Sequence, residues 1–278
     1  MRRPPIPVLP LLLVAVPLVL AVAGPWLAPE AGERAPAFDS DGLLGSDFAG
    51  RDVWHQVLHG GRNLLLVASA ATAGAYLLGV PWGLAAATAR HRAVDELLMR
   101  PLDLLLAVPS LLLLILLAAF GSGAVLVGAL VLVHLPDIAR VSRAAALEAA
   151  NGTAIEAMRL QGEGRWRTNV LFVGRSALRT LVTDAGTRLT GTLYLVAAAA
   201  FLGIGVSPDA ADWAVMIDRN RAGLFLNPWS VLAPALLIVM LTVGLNLTFD
   251  RLLGGTRRTA RRRPARGTAR AHAKERRP

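Results

Sequence analysis

The sequence has no cysteine, and Lys274 is the one lysine among its 29 basic residues. The absence of cysteine excludes disulfide bonds, thiolate catalysis and cysteine-ligated metal sites. A phosphate-binding loop of the G-x-x-x-x-G-K-[ST] type needs a lysine, and no such loop occurs. The H-E-x-x-H motif of zinc proteases and the G-x-S-x-G motif of serine hydrolases are also missing. We therefore predict that the chain has no ATPase or hydrolase site of its own and uses energy supplied by another protein.

Metal ligands are equally sparse. The five histidines are scattered, and His55 and His59 are the pair whose spacing suits a metal on one helical face. They lack a third ligand, so a solvated helical turn is the preferred interpretation. Neither a metal nor a cofactor is expected.

Positive charge is concentrated at the C-terminus. The net charge is +10, and residues 251–278 hold eleven Lys/Arg against one acid, whereas the other 250 residues hold 18 of each sign. A basic tail that directly follows an apolar run is typical of a cytoplasmic segment in contact with anionic membrane lipids. Nucleic acid is not expected as a partner, because no aromatic residue is interleaved in the tail for base stacking.

Long apolar runs account for much of the remaining chain. Hydrophobic residues make up 54% of it, and the mean hydropathy is +0.51, which is too apolar for an ordinary soluble domain. The first run is longer than the ~7–15 residues of a signal peptide, so we predict a retained span rather than a cleaved signal. Runs of membrane-spanning length occupy residues 6–27, 63–88, 101–120, 124–141, 181–206 and 229–249.

The predicted fold is therefore an all-α polytopic membrane protein with six transmembrane helices. Basic residues flank alternate ends of the runs, which places both termini in the cytoplasm. The second outside loop, 207–228, has enough apolar character for a short helix on the membrane surface. The predicted parts are a first span (1–28), an extracytoplasmic segment (29–62), a core of five spans (63–250) and a basic cytoplasmic tail (251–278).

Small residues and a proline mark two of the spans. Gly79 and Gly83 are four residues apart in the second span, a spacing that lets another helix approach closely. Pro109 stands in the middle of the third span.

Ionisable residues occur in two other spans. Asp184 and Arg188 are four apart and are expected to pair near the inner end of the fifth span. His134 and Asp137 lie near the inner end of the fourth, where a packed or interfacial pair is preferred to a proton relay.

A polar stretch, residues 143–181, separates the fourth and fifth spans. It is too charged for lipid, favours helix, and must contact something in water, which we take to be another protein. Its centre reads E-A-M-R-L-Q-G at residues 156–162. This heptapeptide resembles the E-A-A-x-x-x-G loop by which permease subunits of bacterial ABC importers dock on their ATPase. The Trp166-Arg167 pair that follows is similar to the dipeptide/oligopeptide/nickel branch of those permeases.

Three further stretches resemble the same branch, in the same order. Residues 43–54 resemble its outside G-T-D-x-x-G-R-D segment, which is typical of the second, "C"-type permease. Residues 97–113 resemble its entry to the third span. Residues 201–217 resemble its outer F-L-G-L-G-V segment, with Trp213-Ala214 where the family has Trp-Gly. One departure is Gly174-Arg175-Ser176 in place of Leu-Pro-Asn, which predicts a fifth helix without the usual proline break.

The resemblance implies a type I ABC importer permease fold in the bacterial cytoplasmic (inner) membrane. The implied partners are a second permease subunit in a heterodimer, cytoplasmic ATP-binding subunits, an extracytoplasmic solute-binding protein and membrane lipids. The residues implied in ATPase coupling are Glu156, Ala157, Arg159, Gly162 and Trp166. Those implied to face the binding protein are Gly45, Asp47, Gly50, Arg51, Asp52 and Trp213.

Di- and oligopeptides are the substrates that the resemblance favours, with nickel or another small solute as the alternative in the same class. Two other classes remain open. A six-span enzyme would need ionisable residues at one depth, and only Asp137, Asp184 and Arg188 are candidates. A secondary transporter working alone is expected to show internal repeats and broken central helices, and we see no such repeat.

Overall fold

The computed structural model describes residues 8–30, 32–118, 123–150, 152–164, 167 and 172–260. Within these ranges the chain is helical apart from its connections, and an isolated bridge pairs Ser46 with Asp52. The predicted all-α class is confirmed. The helices are α1 Val8–Leu27, α2 Val53–Ala87, α3 Arg92–Ala107, α4 Ser110–Ala118, α5 Gly123–Ala150, α6 Thr153–Leu160, α7 Gly174–Phe201, α8 Trp213–Asn220 and α9 Trp229–Ala260, with a 3-10 turn Arg221–Gly223 after α8.

Side-chain caps fix where α2 and α8 begin. Asp52 accepts hydrogen bonds from the backbone N–H groups of Trp54 and His55, at 2.7 and 3.2 Å. Asp212 accepts from the N–H of Ala214 at 3.0 Å. Such caps satisfy N–H groups that a helix leaves free at its start. The helix of the second span therefore begins at Val53 and not at residue 63, because its first polar turns continue the same helix above the apolar part.

Among the described residues, four helices are long and apolar enough to cross a membrane: α1, α2, α5 and α9. Helices α3 and α4 together give a fifth candidate, with an 88° bend between them. The bend lies at Pro109, because proline lacks the N–H that would continue the helix and pushes Val108 into extended backbone. Helix α7 is 28 residues long and unbroken, as expected without the proline. Its sequence is not apolar enough for it to count among the candidate membrane spans. The count of six spans stays a prediction that depends on α7.

Helices α5 and α7 extend beyond the apolar runs that carry the ionisable residues. Asp137 is the fifteenth of 28 residues in α5, and Arg188 is the fifteenth of 28 in α7. Both lie near the middle of their helices, because each helix extends beyond its apolar run into polar sequence. Helical structure continues wherever polar side chains can turn toward water, so hydropathy alone misplaces the ends.

Helices α2 and α5 pack against each other through the predicted glycine pair. A Cβ on Gly83 would lie 2.2 Å from the carbonyl oxygen of Ala139, and one on Gly79 would lie 2.8 Å from Cγ2 of Ile138. Any larger residue would force the helices apart, so the close approach predicted from the spacing is confirmed. Helix α2 also packs against α1 and α7, which places it at the centre of the bundle.

Candidate coupling segment and docking cap

We call residues 152–164 the connector. Its helix α6 begins where the N–H groups of Ile155 and Glu156 donate to the carbonyl of Gly152, at 3.0 and 3.4 Å. It ends where the N–H of Glu163 donates to the carbonyl of Met158 at 3.1 Å, with Gly162 at φ +77°. This is a Schellman-type ending, which needs a residue in left-handed backbone. The predicted turn at Gly162 is confirmed.

The connector has one anchored side and one open side. Ile155 is 1% exposed and packs with Ala146 of α5 and Val173, beside Leu84 of α2. Leu160, in contrast, is 85% exposed, and Glu156 is exposed too. Burial of Ile155 therefore holds α6 to the bundle while a charged and an apolar side chain point to solvent.

The predicted coupling residues are described to different extents. Glu156 and Gly162 lie in the connector as expected. Ala157 and Arg159 belong to α6, but their side chains lie outside the described part of the structure, and Trp166 lies outside the described residues altogether. Their coupling role stays a prediction.

We call residues 35–52 and 207–228 together the cap. At its centre Asp47 has no exposed surface. Its Oδ1 accepts from the N–H groups of Ala49 and Arg51, both at 2.8 Å. Its Oδ2 accepts from Nε2 of Gln56 at 2.8 Å and Nε of Arg51 at 3.1 Å, with Nη2 of Arg219 at 3.4 Å. One carboxylate thus organises a loop, a helix and two guanidinium groups.

Burial and hydrogen bonding act oppositely on this carboxylate. Burial by itself raises the pKa of Asp47, but hydrogen bonds from the Gln56 side chain and from backbone N–H groups, together with the charge of Arg51, hold its pKa below the usual range. Burial lowers the pKa of the Arg219 guanidinium, and the charge of Arg51 lowers it further. The cap therefore depends on an ionised Asp47.

Two glycines of the predicted outside segment are required by backbone geometry. Gly45 and Gly50 have φ values of +71° and +73°. A Cβ on Gly50 would lie 2.0 Å from the carbonyl oxygen of Ala35, and one on Gly45 would lie 2.3 Å from that of Asp39. Glycine alone fits both the positive φ and the close approach, so these residues shape the loop.

Trp213 fastens α8 to α2. The side chain is 0% exposed, and its Nε1 donates to the carbonyl of Val57 at 2.8 Å. The ring lies against Gly60 and Gly61, where added Cβ atoms would come within 2.6 and 2.5 Å of it. A tryptophan with its N–H satisfied and its ring on a glycine surface contributes to packing rather than to an exposed surface.

The residues implied to face a binding protein are therefore mostly internal. Asp47, Gly45, Gly50 and Trp213 are buried, whereas Asp52 is exposed and the Arg51 side chain is 25% exposed. They build the cap, and any docking surface would be the outside of the loop that they shape. Docking at the cap stays a prediction.

Sequence reasoning missed two asparagines that close the cap. Nδ2 of Asn227 donates to the carbonyls of Leu44 and Ser46, at 2.9 and 3.0 Å. Oδ1 of Asn220 accepts from the N–H of Phe48 at 3.2 Å. Asn227 could have been found, because an Asn-Pro pair before an apolar run is a helix-start signal. Asn220 carries no comparable signal.

A cluster of four polar side chains lies at mid-helix, and we call it the charged cluster. Arg188 Nε contacts Asp184 Oδ2 at 3.3 Å, which confirms the predicted pair. Arg188 Nη1 also lies 2.7 Å from Asp137 Oδ2, and the Tyr76 hydroxyl donates to Asp184 at 2.7 Å. The cluster joins α2, α5 and α7. Asp137 was not predicted to take part, because it is 51 residues from Arg188 in sequence.

The histidine pair considered as a metal site, His55 and His59, lies on one turn of α2. The rings of His55 and His59 stack with centroids 4.5 Å apart. Across the described ranges, no three His, Asp or Glu side chains come together in a group that could hold a metal.

Residues 79–258 match a family model described as "Binding-protein-dependent transport system inner membrane component". The chain is 32% identical to a di/tripeptide transport system permease protein, DppC, of Pseudomonas aeruginosa, over 87% of this chain and 84% of the relative. It is 33% identical to the dipeptide permease DppC of Escherichia coli, over 87% and 85%. It is 27% identical to a probable D,D-dipeptide permease, DdpC, of Escherichia coli, over 90% and 86%.

Solved structures share the fold. The inward-facing MetNI methionine ABC transporter gives a TM-score of 0.58 at 20% identity, covering 72% of this chain and 95% of that chain. An amino acid ABC transporter gives 0.52 at 18% identity, covering 70% and 90%. At these identities the similarity establishes the architecture and no further property.

Proposed function

The chain belongs to the family of binding-protein-dependent transport system inner membrane components, and from that premise we propose that it is a translocating subunit of a di- and oligopeptide importer. The predicted resemblance to ABC importer permeases is confirmed by the match over residues 79–258 and by the permease relatives. The type I permease fold is confirmed by the shared architecture.

Similarity to peptide permeases along most of the chain is the observation that carries the peptide assignment. The relatives named above are permeases for dipeptides or di/tripeptides, and this chain spans most of their length. No feature of the described structure favours nickel or another solute, and nothing in it favours a secondary transporter.

The connector supports a coupling role. Helix α6 is anchored by Ile155 to α5, α7 and α2, while Glu156 and Leu160 point to solvent. In the proposed mechanism this open side contacts a cytoplasmic ATP-binding subunit. Closure of the ATPase dimer moves α6 as a rigid body, and the transmembrane helices follow it between outward- and inward-open states.

The remaining partners follow from the same proposal. A second permease completes a heterodimer, and an extracytoplasmic solute-binding protein docks at the cap. Both termini lie in the cytoplasm, and the basic tail contacts anionic lipid there.

Uptake by the reconstituted importer tests the transport assignment. Proteoliposomes containing both permeases, the ATPases and the binding protein should accumulate labelled dialanine with ATP. Accumulation should stop when the P-loop lysine of the ATPase is replaced. Uptake of nickel ions without uptake of any dipeptide would contradict the proposal.

A charge reversal tests the coupling role. Glu156→Lys should leave the amount of permease in the membrane unchanged, because the side chain is exposed, but should reduce co-purification with the ATPase and dialanine uptake. Glu148→Lys is the matched control, since Glu148 is also exposed but lies at the end of α5, outside the connector. Equal behaviour of the two variants would refute the assignment of Glu156.

A further inference from the structure

A cleft of about 320 Å³ opens beside the charged cluster. His134, Asp137 and Arg188 line it, together with the Pro109-Ser110 break between α3 and α4 and several leucines. Binding sites for small molecules start at about this volume, and they combine apolar walls with a few placed polar groups. The bend at Pro109 thus leaves space next to ionisable side chains at the middle of two long helices.

The charge of the cluster is unbalanced. Asp137 and Asp184 share the single guanidinium of Arg188, which leaves one negative charge without a partner in the cluster. The Asp184 side chain is 16% exposed and is also held by Tyr76, whereas the Asp137 side chain is 38% exposed and faces the cleft. An unbalanced charge inside a helical membrane bundle is costly, and such residues mark ligand or ion pathways. Asp137 is the accessible carboxylate.

A second observation is independent of the ion pairs. His134 is 7% exposed, and its Nε2 has no hydrogen-bond partner within the described ranges. Buried polar atoms are normally satisfied, so an open one in a cleft wall points to a ligand. When the ring carries its proton on Nδ1, Nε2 is an acceptor.

We propose that this cleft binds the N-terminal ammonium group of a peptide in transit, with Asp137 as its charge partner and His134 Nε2 as a second acceptor. An ammonium group brings the positive charge that the cluster lacks and donors for both acceptors. Arg188 stays paired with Asp184 while Asp137 contacts the ligand, so the guanidinium keeps its position. This inference rests on the proposed peptide transport.

Direct binding to the purified permease–ATPase complex, with the binding protein left out, isolates this site. We expect saturable binding of labelled dialanine, with propionyl-alanine, which lacks the amine, competing at least tenfold more weakly. His134→Leu should weaken dialanine binding about tenfold, the usual effect of losing a hydrogen bond to a charged group. It should also reduce the discrimination against propionyl-alanine. Asp137→Asn should do both more strongly.

The same variants separate a binding role from a structural one. His134→Leu leaves every ion pair of the cluster in place and removes an unsatisfied polar atom. If His134 had only a structural role, the variant should therefore show equal or higher thermal stability and unchanged binding. Asp103→Asn is the control for Asp137→Asn, because Asp103 pairs with Arg140 between α3 and α5 at 2.5 Å but does not line the cleft.

Three outcomes would overturn the inference. They are wild-type affinity and discrimination in His134→Leu, absence of saturable dialanine binding to the wild-type complex at millimolar concentration, and stronger discrimination against alanyl-alaninamide than against propionyl-alanine. The last would assign the site to the peptide carboxylate and Arg188. Failure of the peptide-import proposal is distinct, since it would abolish dialanine uptake by the complete wild-type importer.

Discussion

The cap and the connector lie at opposite ends of α2 and are built in different ways. In the cap most of the motif residues are buried, and Asp47 and Trp213 have no exposed surface. In the connector Ile155 is a buried anchor, whereas Glu156 and Leu160 of the same short helix are exposed to solvent.

This difference in burial separates motif residues that are needed for the local fold from motif residues that point to a partner. A buried motif residue is required because the local fold depends on it, whereas an exposed one has no such requirement within the chain and points to a partner. Substitutions in the cap should therefore reduce the amount and stability of the protein. Substitutions in the connector should reduce transport at normal stability.

The largest effect is expected for Trp213→Ala. Truncation of a buried aromatic side chain costs about 3–5 kcal/mol, and it also removes the hydrogen bond from the indole N–H to the Val57 carbonyl. Thermal unfolding of the purified protein and its amount in the membrane measure the loss. Trp26→Ala is the control, because Trp26 is 77% exposed. Similar losses in both variants would contradict a specific role for Trp213.

Asp47→Asn should be nearly as severe. It removes the negative charge between the guanidinium groups of the partly buried Arg51 and the buried Arg219. Breaking a buried ion pair in this way costs about 3–5 kcal/mol. Asp209→Asn removes another carboxylate that contacts Arg51, at 3.6 Å, but with 85% of its side chain exposed. Its expected cost is at most about 1 kcal/mol. Unfolding midpoints that do not differ between the variants would refute the proposed organisation of the cap.

Gly162→Ala tests the connector. Left-handed backbone costs a residue other than glycine about 1–2 kcal/mol, so the end of α6 should be altered without loss of the bundle. Dialanine uptake should fall while the unfolding midpoint stays near wild type. Gly164→Ala is the matched control, since neither site has an atom within 4 Å of an added Cβ and only Gly162 of the two has positive φ. A loss of uptake in both variants would mean that the backbone conformation at Gly162 is not the cause.

The smallest of these effects is expected from acid, which should lower the stability of the cap. The folded-state pKa of Asp47 is below its ordinary 3.8, so its stabilising effect is complete above that value and is lost as the pH falls through the lower folded pKa. Stability should therefore fall with acidification below about pH 4. Asp47→Asn should show a shallower fall over the same range. An identical acid profile in the two proteins would show that another group is responsible.

Local signals in the sequence predicted local features well. The Asp184–Arg188 pair, the Gly79/Gly83 contact and the turn at Gly162 all depend on spacings of a few residues or on one residue's backbone preference. The contact between Arg188 and Asp137 depends instead on which faces of α5 and α7 meet. Nothing in the sequence specifies those faces.

Hydropathy predicted the spans but misplaced helix ends. Asp52 starts α2 well before the apolar run, and α5 continues past it to Ala150. The burial of the cap residues could not be read from a linear pattern, because Trp213 meets α2 only in the folded chain.

One uninterrupted helix, α2, reaches both ends of the molecule. It is 35 residues long, which corresponds to about 52 Å, and it begins under Trp213 and ends beside Ile155. In the proposed importer, a solute-binding protein at the cap and an ATPase at the connector would both act on the orientation of this helix. Thermodynamic linkage then requires that the factor by which the docked binding protein changes ATP affinity equals the factor by which ATP changes the affinity for the binding protein.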